Sequence, residues 1–324
     1  MILVTGGGGY VGSVVVRELM ERGLDTVVFD NLSQGHVEAV ASPTRVVVGD
    51  LRDPAVLDRL FAEFPVRAVI HMAAETEVAR SLADPRIYFD VNVVGGLHLL
   101  DAMVRHGVYT IVFSSSAAVY GEPEADSVSE TDSKRPVNAY GESKLMFESI
   151  LRWYGLAYDV RHVSFRYFNA AGAVDGLGES HNPETHLIPN VLRAALGHGH
   201  VTVFGTDYPT KDGSCVRDFV HVQDIARAHV AALDRIEKVA SKAYNLGTER
   251  GSSVLEVIRT AEEVAGLEIP VQVGVRRAGD PAVLVASSSR ARSDLGWEPQ
   301  TPDLRDIIES AWRWLKVHPD GYQR

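Results

Sequence analysis

The chain is short of cysteine: Cys215 is the only one in 324 residues. No intramolecular disulfide can form, and a cysteine-built zinc site is excluded. Long apolar runs are missing as well. No window approaches 18 consecutive apolar residues, so no membrane span is expected. The opening Met1-Ile2-Leu3-Val4 passes directly into glycines, with neither the charged region nor the apolar core of a signal peptide. Positive charge is scarce: 32 Lys and Arg stand against 43 Asp and Glu, a net charge of −11. Such a surface repels polyanions, so neither nucleic acid nor a membrane is expected as a partner, and the expected location is cytoplasmic. The twelve histidines are scattered. The pairs His198/His200 and His181/His186 fall in turn-like sequence near Gly or Pro and read as solvated loop residues, so no metal site is expected.

What is present is a globular composition, 45% hydrophobic and 23% charged. The length allows one large domain or two modest ones. In the first half, short Val/Ile/Phe-rich runs at 2–5, 26–30, 45–48, 68–71, 110–114 and 160–165 read as strands buried on both faces. Helical patterns at 11–22, 55–64, 86–106 and 138–154 separate them. That alternation predicts an α/β fold with a doubly wound parallel sheet. The second half is rich in loops. Helical stretches at 187–196, 222–235, 254–265 and 303–316, with short strands at 201–204, 243–245 and 271–273, predict a smaller mixed α/β lobe. The expected division is 1–167 and 168–324, with roughly 215–246 returning to the large sheet. A ligand cleft is expected where the parallel strands end.

The first strand runs into Gly6-Gly7-Gly8-Gly9-Tyr10-Val11-Gly12, and a helical pattern follows. Gly6, Gly9 and Gly12 fit one glycine spacing; Gly7, Gly9 and Gly12 fit another. Either way, side chains are absent where a pyrophosphate must approach the backbone, and the helix N-terminus supplies free N–H groups. This context, strand then glycines then helix, points to a dinucleotide. Asp30 ends the second strand, 18 residues beyond Gly12. Its carboxylate can accept both hydroxyls of an adenine ribose and repels a 2′-phosphate, and Asn31-Leu32-Ser33 offers no arginine to receive one. NAD is therefore favoured over NADP. Asp50-Leu51, at the end of the third strand, either meets the adenine amine or belongs to the N-cap region before Pro54.

Tyr140 and Lys144 stand at i and i+4 on one helix face. A tyrosine acting as a base near neutrality must lose about 3 pKa units, roughly 4 kcal/mol. A lysine ammonium one turn away and a positively charged nicotinamide are the expected sources. The strand before this helix ends Phe113-Ser114-Ser115-Ser116. A serine hydroxyl there can share a proton with Tyr140 and hold a substrate hydroxyl.

Together these residues resemble the extended short-chain dehydrogenase/reductases, and within them the UDP-glucose (UDP-galactose) 4-epimerase family, over essentially the full length. The segments that carry the resemblance are Thr5–Ser13, Asp30-Asn31-Leu32, Ser114–Gly121, Tyr140–Lys144 and Arg166–Asn169, with 204–213 and 216–222 more specific to the epimerases. The resemblance implies NAD as a permanently bound cofactor, a UDP-sugar substrate and a homodimer through the helices near 86–106 and 138–154. It implies that Tyr140, aided by Ser116, takes the proton of the sugar 4-hydroxyl while C4 is oxidised; the 4-keto sugar turns over and is reduced on its other face. Lys144 would hold the nicotinamide ribose. The cofactor residues so implied are Gly6, Gly9, Tyr10, Val11, Gly12, Asp30, Asn31, Ser33, Gly35, Asp50, Leu51, Met72, Ala73, Ala74, Asn92, Ser114, Tyr140, Lys144 and Phe168. On the substrate side they are Ser116, Tyr140, Asn169, Leu187, Phe204, Arg217, Arg277 and Asp280, the arginines toward the pyrophosphate. The sequence departs from the family at Thr76, where a cofactor-contacting lysine is common, and at His186, where an asparagine on the uridine side is common. Leu284 falls about where a residue gates bulky C2 substituents, so sugars with N-acetyl groups and uronic acids stay open.

Overall fold

The computed structural model describes residues 1–277 and 279–322. Fourteen strands are present among them: β1 (Ile2–Thr5), β2 (Thr26–Asp30), β3 (Arg45–Val48), β4 (Ala68–His71), β5 (Thr110–Ser116), β6 (Ser127–Val128), β7 (Arg161–Tyr167), β8 (Asn169–Ala171), β9 (Val201–Phe204), β10 (Val216–His221), β11 (Lys242–Leu246), β12 (Gly251–Ser253), β13 (Val271–Gly274) and β14 (Val283–Ala286). Seven form one sheet in the order β11-β7-β5-β4-β1-β2-β3. Every pairing in it is parallel. The order moves outward from β1 in both directions, which places a crevice at the carboxyl ends of β1 and β4.

The apolar sequences of β1, β2 and β4 follow from burial on both faces. On one side Val4, Val28, Ile70 and Phe165 pack against Val14, Val15, Leu19, Ile225 and Ala228. On the other Leu3, Val27, Val69 and Phe113 pack against Leu57, Leu99, Met103 and Phe147. The helical stretch Pro85–Arg105 is long and apolar enough to cross a membrane by composition, but half of that window is buried. Its Leu99, Leu100 and Met103 belong to this core. Within it, Phe89–Gly95 widens to a π-turn that carries Asn92; such turns are frequent at functional sites.

The strand expected at 243–245 lies in the large sheet as β11, paired to β7, and the helix Val222–Val239 packs on the helix Tyr10–Glu21. The second sheet, β12-β10-β14-β6 with β8 on β10, was not foreseen. Its strands are two to six residues long, and only β14, Val-Leu-Val-Ala, is an unbroken apolar run of the kind that marks a large buried sheet. A third pair, β9 with β13, edges the smaller lobe. That lobe has its own core of Ile188, Leu192, Phe219, Ile258, Ile308 and Trp312.

Candidate active site

The glycine loop is set by what its residues lack. Gly6 has φ +73°, and a Cβ there would sit 2.5 Å from the Ala73 nitrogen. A Cβ on Gly12 would sit 2.0 Å from the Gly6 carbonyl. Glycine at both lets β1 and the helix Tyr10–Glu21 close into one turn against Met72 and Ala73, with Ala74 following. Gly9 is the N-cap residue and has no capping side chain, so the N–H groups of Tyr10, Val11 and Gly12 lack intrahelical acceptors. Thr5 braces the floor: its hydroxyl meets His71 Nδ1 at 2.7 Å and accepts from the Met72 N–H at 3.3 Å. Burial drives the His71 pKa down to about 3, with a smaller push from Lys144, so His71 is neutral.

Asp30 is buried at the end of β2. Its carboxylate accepts the Gly8 N–H at 2.9 Å and the Leu32 N–H at 2.8 Å, which fixes it beside the glycine loop. Gly35 is needed for the same closeness, since its Cβ would fall 3.0 Å from Asp30 Oδ1. Asn31 Oδ1 takes the N–H and hydroxyl of Ser33, while its amide reaches Asp50 at 3.4 Å. Asp50 is paired with Arg52 at 2.8 Å, and that hydrogen bond holds its carboxyl down at about 2. The N-cap before Pro54 is Asp53, not Asp50. Leu51 is buried in the core beneath.

Three residues expected at the cofactor also make internal contacts that brace the chain. Asn92 accepts from the Glu75 N–H at 2.8 Å and donates to the Glu75 carbonyl at 3.0 Å and the Ser143 hydroxyl at 2.9 Å. Its amide holds the loop after β4 against the helix Ala139–Tyr158. Ser114 turns its hydroxyl into the core, 3.0 Å from His229 Nε2. His229 Nδ1 lies 2.9 Å from the Ile225 carbonyl, so that nitrogen carries the hydrogen and Nε2 accepts. Phe168 is buried beside Ala117 and Tyr120, its N–H on the Leu246 carbonyl at 3.1 Å.

Tyr140 begins the second position of the helix Ala139–Tyr158, capped by Asn138, whose Oδ1 accepts the Gly141 N–H at 2.8 Å. Gly141 decides how near this helix comes to the turn Ala117–Val119 after β5: a Cβ there would lie 2.5 Å from the Ala118 carbonyl. The approach sets Tyr140 against Ser116, whose oxygen already accepts the Ala118 N–H at 3.1 Å and whose proton is free to be donated. Lys144 is buried; its Nζ donates to the Ser114 carbonyl at 2.9 Å and lies 5.8 Å from the centre of the Tyr140 ring. Burial lowers the Lys144 pKa to about 7. It raises that of Tyr140, against a smaller lowering by Ser116. The lowering expected from Lys144 is thus not present in the chain alone.

Behind this edge stands a buried knot that the sequence did not announce. Arg166 binds Glu148 at 2.5 Å and the Tyr120 hydroxyl at 2.9 Å, and Tyr120 donates to Asn245 Oδ1 at 2.7 Å. In the motif 216–222, Asp218 is the hub: its carboxylate accepts from Thr248 N–H and hydroxyl, Glu249 N–H and Ala286 N–H, at 2.7–3.1 Å. It joins β10, β14 and the turn after β11.

Across the crevice the expected substrate residues fall into pairs. Arg217 donates to Asp280 at 3.2 Å and to the Val216 and Pro281 carbonyls at 2.8 Å. Arg277 lies over the Phe204 ring at 3.8 Å. Its neighbour Arg276 pairs with Asp207 at 2.7 Å and covers Tyr208. Asn169 opens β8 beside Phe168, and Leu187 opens the helix Leu187–Ala195. Leu284 lies against the cluster of Ala117, Tyr120 and Phe168.

His181 is largely enclosed, whereas the His186 side chain stays about half exposed, and both face carboxylates. His186 Nδ1 lies 2.8 Å from Glu179 and 3.0 Å from Glu184; His181 Nδ1 lies 3.4 and 3.7 Å from the same two carboxylates. Although desolvation opposes it, the hydrogen bonds and charges of both glutamates raise the two imidazoles, His181 to about 9.

Comparison with known proteins agrees with this geometry. Residues 2–247 match the model of the NAD dependent epimerase/dehydratase family. A UDP-glucose 4-epimerase of Lacticaseibacillus casei is 47% identical over 99% of this chain and 98% of its own. The solved structure of a UDP-glucose 4-epimerase from Bifidobacterium longum in complex with NAD+ and UDP superposes with a TM-score of 0.94, 39% identity and 99% coverage of both chains. A UDP-Glc/GlcNAc 4-epimerase of Campylobacter jejuni superposes at 0.86, with 39% identity, over 98% of this chain and 99% of that one.

Proposed function

The chain belongs to the NAD-dependent epimerase/dehydratase family, and from that premise we propose that it interconverts UDP-galactose and UDP-glucose at C4 with a retained NAD. The glycine cradle, which any Cβ at Gly6 or Gly12 would fill, fits the cofactor's pyrophosphate, and the Asp30 carboxylate fits its adenine ribose. The residues that would hold it are Gly6, Gly9 through Gly12, Asp30, Asn31, Ser33, Gly35, Met72 through Ala74, Tyr140 and Lys144, with Asn92 and Ser114 as braces. NAD, when bound, supplies the two-electron oxidation, its reversal, and a positive charge in the site.

The observation that carries the reading is the seating of Tyr140 against Ser116 by Gly141, with Lys144 one turn on. Tyr140 takes the proton of the sugar 4-hydroxyl, and Ser116 donates to the same oxygen. Once the keto sugar has turned over and C4 is reduced on its other face, Tyr140 returns the proton to the C4 oxygen. Lys144, pinned by the Ser114 carbonyl, orients the nicotinamide ribose. Arg217 and Arg277 take the UDP pyrophosphate, Asp280 the uridine ribose, and Asn169, Leu187 and Phe204 the rest of the nucleotide. In this reading residues 1–167 with the returning strand β11 form the cofactor half, and the remainder of 168–324 forms the substrate half.

Leu284, set against the cluster beside β5, is intermediate in size between a residue that excludes and one that admits N-acetyl groups, so UDP-N-acetylhexosamines are the second substrate class to assay. Exposed Val94, Met146, Trp153 and Leu156 on the helices 85–105 and 139–158 support a homodimer through that face. A cytoplasmic location completes the proposal. The test is direct. Purified protein with no added cofactor is given UDP-galactose, and NMR follows UDP-glucose. No conversion of any UDP-hexose sinks the reading; UDP-N-acetylgalactosamine alongside tests what Leu284 admits.

A further inference from the structure

Just before Leu187, the residues Glu179, His181, Glu184 and His186 offer one ligand atom each, all within 4.8 Å of one another. We propose that these four side chains form a structural site for one tetrahedral transition-metal dication of the zinc class. Both carboxylates are more than nine-tenths buried, with 8% and 5% of their side chains exposed. Both imidazoles point Nδ1 inward. The four histidine–glutamate separations run from 2.8 to 3.7 Å. Ligand atoms about 2.0–2.2 Å from a tetrahedral metal stand about 3.3–3.6 Å from each other, so little rearrangement is needed.

Two plain ion pairs account for the cluster less well. The His181 Nδ1 is shut off from solvent, and the two carboxylates that face it stand at 3.4 and 3.7 Å, too far for a well-formed hydrogen bond. The two rings lie 5.0 Å apart, which two imidazolium cations resist. One dication at the centre satisfies all four groups at once. Two imidazoles with two carboxylates suit zinc; calcium and magnesium call for all-oxygen shells of six or more ligands.

The place in the fold gives the site its use. The loop 178–186 is held to the cofactor side by Gln34 and Asn182, which exchange hydrogen bonds at 3.2 and 3.3 Å, and by His36 on the Ser180 carbonyl at 3.2 Å. Immediately after His186 begins the helix Leu187–Ala195. A metal here locks the loop that ties the segment following Asp30 to the helix at the substrate side.

Full-length protein, freed of metal by EDTA dialysis under native conditions, is given ZnCl2, and bound zinc is measured by elemental analysis after gel filtration. One equivalent per chain is expected, with a Tm rise of about 4 °C at ~100-fold excess over Kd. Cobalt(II) in its place should give the intense visible bands of tetrahedral coordination. His181→Ala and His186→Ala, each checked for folding by circular dichroism, should lose both the equivalent and the Tm rise. Glu184→Gln serves where either fails to fold. No zinc on folded wild-type protein, an equivalent retained in the variants, or the pale spectrum of octahedral cobalt overturns the proposal. None of these readouts depends on epimerase activity.

Discussion

Around the glycine loop, the groups offered to a ligand are backbone N–H donors placed by missing Cβ atoms, with one carboxylate that two main-chain donors hold still. Across the cleft they are side chains: Arg217 with Asp280, and Arg277 over Phe204, each occupied with the other. The first surface is preorganised and carries no added positive charge, which suits it to a pyrophosphate even in a chain of net −11. The second must exchange internal contacts for those of a ligand, so its affinity is a difference between two sets of bonds. Cofactor retention and substrate turnover in one molecule call for that contrast.

The largest expected effect comes where the two surfaces meet. Tyr140→Phe removes the proton acceptor and should lower kcat by about 10²–10⁴-fold, while NAD stays with the protein through gel filtration. Loss of NAD would show that the Tyr140 hydroxyl is needed to hold the cofactor and not chiefly to move the proton. Gly12→Ala attacks that surface alone. Its Cβ would stand 2.0 Å from the Gly6 carbonyl, so the loop must open, and NAD affinity should fall by about 10²-fold for a displacement near 1 Å. Fluorescence titration with NAD reads it; an unchanged affinity would mean that the loop is not rigid.

The braces of the cofactor surface are also its acid-sensitive part. His229 is buried neutral, its pKa driven by burial to about 4. The unfolded chain takes its proton near pH 6.5, so stability is whole above that and falls as pH drops toward 4. The slope is up to about 1.4 kcal/mol per pH unit. His229→Gln should flatten this limb of a Tm–pH curve, and a curve that keeps its slope would refute the assignment. Nothing in the spacing of His229 marks it, because its role depends on Ser114 from a strand 115 residues away. Asp218 and Arg166 are hidden for the same reason. The glycine loop, Asp30 and the Tyr140–Lys144 pair were legible because each is a local device: a strand end, a turn or one helix face. The short strands of the second sheet and the Glu179–His186 cluster were not, since their meaning lies in long-range pairing and in a fold-back that turns loop histidines inward.

On the substrate surface Arg217→Lys keeps the charge but loses the fork that reaches Asp280 and two carbonyls. KM for UDP-galactose should rise about tenfold, the worth of one charge-assisted bond, with kcat nearly unchanged.

The smallest effect separates two neighbours. Arg276 and Arg277 are adjacent and both exposed, yet only Arg277 lies over Phe204, while Arg276 is committed to Asp207 and Tyr208. An exposed pair such as Arg276 with Asp207 adds little, because water and salt screen it and holding two long side chains costs entropy. Arg276→Ala should therefore change KM by less than about twofold. Arg277→Ala should raise it several-fold, and the increase should shrink as salt screens the pyrophosphate. Should the two variants behave alike, the charge of the segment matters rather than the seat of one guanidinium. The substrate surface would then be a diffuse field and not, like the cofactor surface, a set of placed groups.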